Sequence, residues 1–259
     1  MNWNIIKLLL VEDSSDDAAL LVAEVQREGH APMHKRVETE TDFLAALQKY
    51  SWDAIICDYA LPQFSGPEAL RLLRQQGLDT PFIMVSGVCG EEEAVAMMKA
   101  GANDYIMKRN LGRLVPALER ELAAALARHF LKCAIAEMQF LAGIVESSAD
   151  AIYGKNLDSI IVSWNMAAER LLGYSSTEII GCSNVLLFPG NSRDEMLDIM
   201  TRVRRGDVVA IQETVRLHKH GGIIPVAISV SPVKNTRGDI IGASTVVRHL
   251  PPKKSCAGT

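Results

Sequence analysis

Short apolar runs separated by longer amphipathic stretches pattern the first 110 residues. "IIKLLLV" (5–11), "DAIICD" (53–58), "PFIMVS" (81–86) and "DYIM" (104–107) are short and dense in aliphatics, which predicts buried strands. "MHKRV" (33–37) is a weaker fifth candidate. Between these runs, "SDDAALLVAEVQREG", "TDFLAALQKY", "GPEALRLLRQQG" and "EEEAVAMMKAG" predict amphipathic helices. A strand–helix alternation of this kind predicts a parallel sheet with helices on both faces.

From Leu111 the pattern becomes helical for much longer: "LGRLVPALERELAAALARHFLKCAIAEMQFLAGIVES". Apolar residues at 114, 118, 122, 125/126, 129/130 and 133 keep near-helical spacing, and Pro116 is tolerated if it lies in the first turn. The stretch exceeds what one domain needs to finish its last helix, so a connector helix over 111–147 is expected, pairing with a second copy of the chain. Its apolar pattern is looser than a strict heptad.

After Ser148 the texture changes again. "AIYGKNLDSIIVSWN" predicts two strands around a turn at Asp158–Ser159, followed by short helices in "MAAERLLG" and "STEIIG" and a longer one in "NSRDEMLDIMTRVRRG". Residues 210–250 then predict three antiparallel strands, with turns at His220-Gly221-Gly222 and Thr236-Arg237-Gly238. The expected fold class is therefore an α/β flavodoxin-like, doubly wound, five-stranded parallel sheet, joined by a long helix to an α+β domain with an antiparallel sheet. The expected bounds are 1–125, 111–147 for the overlapping helix, 138–250, and a flexible polar tail at 251–259.

Composition narrows this picture. A length of 259 residues favours two modest domains, and 48% hydrophobic content suffices for a core. The net charge is −4 and no dense Lys/Arg stripe occurs, so nucleic acid is not the expected partner. Five scattered cysteines (57, 89, 133, 182, 256) without C-x-x-C spacing read as reduced thiols of a cytoplasmic protein, Cys57 and Cys89 being buried filler before reactive groups. The start does not read as a signal peptide, and no apolar run approaches the roughly 20 residues that span a bilayer.

The chemistry is expected at the strand ends. In a doubly wound sheet, the ends of the first and third strands lie side by side, so Glu12 and Asp13 approach Asp58. Three carboxylates in one crevice repel one another. A hard cation such as Mg²⁺, which takes a few carboxylates with water and phosphate oxygens, resolves the conflict. Asp16 and Asp17 read as negative charge for the first helix turn. Ser86 ends the fourth strand beside Gly87, and Lys108 follows the fifth; a hydroxyl and a cation there suit phosphoryl oxygens. Asp58 would be the nucleophile that forms an acyl phosphate. Each residue also has a plainer reading: Glu12 and Asp13 as a helix cap, Ser86 as a turn residue, Tyr105 as core packing.

"LLVEDS", "IICDYALPQFSG", "MVSG" and "GANDYIMK" together make residues 5 to about 125 resemble a two-component receiver domain. The resemblance implies phosphorylation of Asp58 by a sensor histidine kinase, a phosphotransfer protein or a small phosphodonor. It implies Mg²⁺ held by Glu12, Asp13, Asp58 and the backbone carbonyl of Ala60. It also implies that Ser86 and Tyr105 form a switch pair, and that catalysis extends at most to the domain's own phosphorylation and dephosphorylation. One departure is Arg109, where the family usually has proline after the lysine, so no cis X-Pro bond is available there. Two rivals on the same fold are weaker. A flavin-binding flavodoxin would not place acids after its first strand, and a phosphatase of the haloacid-dehalogenase type usually has an acid where Ala60 stands.

Residues 138–250 resemble a PAS domain, on "ESSADAIYGKNLDSIIVSWNMAAERLLGYSSTEIIG" and "VRLHKHGGIIPVAISVSPVKNTRGDIIGASTVVR". Such domains bind haem, flavin or small metabolites, or bind nothing and dimerise. Handles for known cofactors are missing: Cys182 is displaced from the photoreceptor position, taken by Asn184, and Met196 stands near where a haem sensor has histidine. His218 and His220 alternate onto one strand face without further metal ligands. Trp164 and Met166 read as core, and His129 in the connector as structural. No kinase helix, ATP box or helix-turn-helix is legible. Two functional expectations stay open: a receiver–PAS protein signalling by contact, dimeric through its connector helix and PAS domain, or the amino-terminal sensory segment of a hybrid histidine kinase whose PAS domain binds a ligand.

Overall fold

The structure is a computed structural model and describes residues 5–87, 90–190 and 192–251. It divides into two compact units, Met1–Ala134 and Ile135–Thr259. Cys89, Cys256 and the tail from residue 252 lie outside the described residues.

In the first unit the strands are β1 (Ile5–Val11), β2 (Ala31–Val37), β3 (Ala54–Asp58), β4 (Phe82–Ser86) and β5 (Asp104–Met107). They pair in parallel in the order β2-β1-β3-β4-β5, so β1 and β3 are neighbours, with Val11 opposite Cys57. The intervening helices are α1 (Ser15–Arg27), α2 (Glu40–Lys49), α3 (Gly66–Gln75) and α4 (Glu91–Ala100). Near-continuous aliphatic strands are needed because both sheet faces are covered. Leu8, Leu10, Ile56 and Val85 pack with α1, while Leu9, Val11, Ile55 and Cys57 pack with Phe43 of α2 and Leu70 and Leu73 of α3. Ser14, Thr39 and Ser65 cap α1, α2 and α3 by accepting the backbone N–H three residues on.

The connector departs from expectation at its start. Residues Lys108–Arg113 form a 3₁₀ turn, interrupted at Asn110 (φ −134°, ψ 49°), and the α-helix α5 runs from Leu114 to Glu146. Pro116 falls in its first turn. Leu114, Val115, Ala117, Leu118 and Leu122 are buried, whereas from Phe130 onward the large apolar residues of α5 are exposed.

The second unit contains β6 (Ala151–Asn156), β7 (Ile161–Trp164), α6 (Met166–Leu172), α7 (Ser176–Ile179), a 3₁₀ turn at Asn184–Leu187, α8 (Arg193–Arg205), β8 (Val209–Leu217), β9 (Ile223–Lys234) and β10 (Ile240–His249). The sheet is antiparallel, ordered β7-β6-β10-β9-β8. One sheet face and the helices enclose Tyr153, Trp164, Leu172, Leu187, Ile199, Val203, Val226 and Ile228. Ser159 takes φ 64° in the β6–β7 turn, where Asn156 Oδ1 accepts from the N–H groups of Asp158 and Ile160.

Two expectations are corrected. Met166 is exposed rather than core, because it opens α6 on the solvent side. His218 and His220 do not share a strand face: β8 ends at Leu217, and both lie in the following turn, with ring centroids 5.3 Å apart.

Candidate functional site

The carboxyl ends of β1, β3 and β5 deliver an acid–base cluster. Glu12 follows β1 and is buried, and its Oε1 accepts from the N–H of Ser14, the cap of α1. Asp58 is the last residue of β3. Lys108 follows β5 and sends its Nζ to Asp58 Oδ2 (2.6 Å), Glu12 Oε2 (3.0 Å) and Asp17 Oδ2 (2.5 Å). Carboxylate oxygens of Glu12, Asp17 and Asp58 all lie within 4.8 Å of one another.

The electrostatics follow from this geometry. Burial alone would lower the Lys108 pKa, but hydrogen bonds to Asp17, Asp58 and Glu12 outweigh it and hold the ammonium charged far above neutral pH. Burial raises the Glu12 pKa, the Lys108 hydrogen bond opposes that rise, and the charge of Asp58 reinforces it. One cation thus serves three acids. The surplus negative charge and the hard oxygen donors suit a small divalent cation.

The surrounding loops are pinned. Arg36 Nη1 donates to the carbonyls of Glu12 and Asp13, both at 2.9 Å, fixing the turn after β1. After β3, the Tyr59 N–H bonds the carbonyl of Val85, and the Gly66 N–H bonds the carbonyl of Tyr59. The N–H of Ala60 faces Asp58 Oδ1 at 3.4 Å. Gly66 has a steric reason: a Cβ there would come within 2.6 Å of Met84 Sδ and 2.8 Å of the carbonyl oxygen of Asp58.

Glu12, Asp58 and Lys108 are brought together as the spacing anticipated. Ser86 ends β4 opposite Met107, next to the cluster's β5 end, and is buried. Among the described residues, a Cβ on Gly87 would meet nothing within 4 Å. Tyr105 is buried in the cluster that contains Met84 and Met97. The Asp13 side chain is exposed and lies outside the converging carboxylates, since consecutive residues leaving a strand point in different directions. Asp17 takes its place. It sits in the first turn of α1, as expected, but it also reaches Lys108, a contact the sequence reading missed. The legible signal was helical spacing: Asp17 stands one turn before buried Leu21, on the face turned to the sheet.

Comparison with known proteins bears on both units. Residues 8–119 match the family model described as response regulator receiver domain, and residues 139–250 match that of the PAS fold. Among curated proteins, transcriptional regulatory protein TcrA of Mycobacterium tuberculosis is 32% identical over 106 residues, covering 40% of each chain. Cell cycle response regulator CtrA of Brucella ovis is 34% identical over 103 residues, covering 40% of this chain and 44% of the relative. The chain therefore spans less than half the length of these curated relatives. Among solved structures, the receiver domain of Francisella response regulator 1452 is 22% identical with a TM-score of 0.42, covering 46% of this chain and 98% of that one. A PAS domain from Colwellia psychrerythraea is 24% identical with a TM-score of 0.40, covering 44% and 96%.

Proposed function

We propose that this chain, a two-component signalling protein built from a response regulator receiver domain (8–119) and a PAS domain (139–250), accepts a phosphoryl group on Asp58. The observation that carries the reading is the Asp58 carboxylate at the end of the central strand, held by Lys108 at 2.6 Å and flanked by buried Glu12. An Asp58 oxygen attacks phosphorus, the bond to the donor's leaving group breaks, and an acyl phosphate results. Lys108, released from the carboxylate that becomes phosphorylated, pairs with phosphoryl oxygens, and the Ser86 hydroxyl donates to them.

Glu12 and Asp58 would hold Mg²⁺, with a third carboxylate from Asp13 or Asp17 and the carbonyl of Ala60. When bound, the ion neutralises charge on the transferring group. Tyr105, one strand position before Ile106 and the β5 end, would respond to Ser86 and alter the face that leads into α5. A receiver implies a histidine kinase or phosphotransfer partner. Among the described residues no helix is long and apolar enough to cross a membrane, and we read the chain as working in the cytoplasm.

The output we infer is contact with a second copy along α5. Leu131, Ala134, Met138, Leu141 and Val145 repeat at three- and four-residue steps, and the four large ones among them are exposed.

Acetyl phosphate with Mg²⁺, read by phosphate-affinity gel, tests the acceptor. Wild type is expected to gain one phosphoryl group and Asp58→Asn none. Equal labelling of Asp58→Asn would sink this assignment.

A further inference from the structure

Helix α2 covers only part of its side of the first sheet. Leu9 and Val11 of β1 pack with Phe43 and Ala46 of α2. Lys7 stands two positions before Leu9 and is the register partner of Met33, and Lys35 stands two positions beyond Met33. All three side chains therefore belong to the α2 face. The helix ends at Lys49, and the chain returns to β3 through Tyr50, Ser51 and Trp52. Between this turn and the β1–β2 pair lies a cleft of about 480 Å³, where Lys7, Met33, Lys35, Lys49, Tyr50 and Trp52 form the walls. Clefts of roughly 300–1,000 Å³ hold small ligands.

The cleft is cationic although the chain carries a net charge of −4: among the described residues no Asp or Glu lines it. Nor does the ammonium group of Lys7, Lys35 or Lys49 form an ion pair among the described residues. Asp53, close by, accepts the main-chain N–H of Lys7 at 2.8 Å instead. The aromatic wall is held in place. Trp52 Nε1 donates to the Ala46 carbonyl at 3.0 Å, which covers an acceptor near the end of α2 that would repel an anion. Tyr50 stands edge-on to Trp52, with ring centroids 5.7 Å apart, and Lys49 Nζ lies 5.3 Å from the Tyr50 centroid. Tyr50 is still 48% exposed, so ring surface is left over for a ligand.

We propose that this cleft binds a nucleoside di- or triphosphate, with the base stacked on Tyr50 and the phosphates paired with Lys7, Lys35 and Lys49. Stacking on an aromatic ring and charge-assisted hydrogen bonds to phosphate oxygens are the two contacts that this wall and these cations offer. A bare anion would leave the ring unused, and a neutral aromatic would leave the lysines unanswered. Lys7 lies toward the amino-terminal end of β1, whereas Asp58 closes the parallel strand β3 at its carboxyl end. The site does not depend on the Asp58 reading.

The test is isothermal titration calorimetry on the full chain in EDTA, with ATP, GTP, inorganic tripolyphosphate and a thymidine oligonucleotide. ATP or GTP is expected to bind about tenfold or more tightly than tripolyphosphate, the margin that stacking of one base supplies. Tyr50→Leu is expected to remove that margin and leave tripolyphosphate binding as it was. Lys35→Gln is expected to weaken nucleotide and tripolyphosphate alike. Circular dichroism should show both variants folded, since neither side chain belongs to the buried core. Failure of both nucleotides to bind overturns the proposal, as does nucleotide affinity that both variants retain. Tripolyphosphate binding as tightly as the nucleotides would reduce the site to a general cationic patch. An oligonucleotide binding more tightly than either nucleotide would make it a strand-binding surface, which also overturns the proposal.

Discussion

Glu12 shows how a single buried acid couples stability to pH. Its folded pKa is raised, chiefly by burial, so the folded state holds the proton better than the unfolded chain does. Its contribution is therefore least favourable above the folded pKa, and improves as pH falls through that value toward 4.5. Glu12→Gln is expected to stabilise the protein at pH 7 without divalent cations, with the gain fading near pH 4.5. Urea unfolding at the two pH values measures this, and a destabilised variant at pH 7 would refute it. Lys155 gives the opposite sign. Its folded pKa is depressed from 10.5 to about 8, so its penalty is complete below pH 8 and is relieved as pH rises toward 10.5. Lys155→Met should be about 3 kcal/mol more stable than wild type at pH 7. Its advantage should shrink between pH 8 and 9.5.

At the scale of elements, few residues hold the chain's turns in place. Asn165 precedes α6 and is buried. Its Oδ1 accepts from the N–H groups of Ile152 and Ala168, and its Nδ2 donates to the carbonyls of Val145 and Asp150. It thereby ties the end of α5, β6 and α6 together. Asn165→Ala loses a cap and strands buried backbone groups, so a cost of about 2–4 kcal/mol is expected by denaturant unfolding. Helix α3 starts under a tighter constraint: Gly66→Ala places a methyl against Met84 and the carbonyl of Asp58. It should cost about 1–3 kcal/mol and slow phosphoryl acceptance by displacing the loop after β3. Strands β1, β3 and β4 were legible because each is a compact aliphatic run, and the capped helices because Ser or Thr precedes an amphipathic period. The 3₁₀ turns at Lys108–Arg113 and Asn184–Leu187 were not, since a single short turn leaves no period to read.

For the molecule as a whole, the decisive question is what covers the apolar side of α5. Met138→Glu with Leu141→Glu changes two exposed residues and should leave each unit folded. By light scattering, wild type is expected at twice its 28.3 kDa chain mass and the double variant at the single-chain mass. A beryllofluoride phosphoryl mimic with Mg²⁺ should change the mass or shape of wild type and not of Asp58→Asn. A mass that the α5 substitutions leave unchanged would remove this helix from the assembly.

The chain's own pattern determined the order of strands and helices in both units, the two fold classes and the adjacency of Glu12, Asp58 and Lys108. Periodicity encodes an element locally, and a doubly wound sheet turns strand order into a row of strand ends. Only the tertiary structure decided that Asp17 rather than Asp13 meets Lys108, because side-chain direction depends on how the chain leaves β1. It alone brought Lys155 and Arg216 into one interior. They lie 61 positions apart, on strands β6 and β8 that β10 and β9 separate. Nothing local marks either residue as buried, since a lone cation in a strand reads as solvent-facing until the packed sheet and helices close over it.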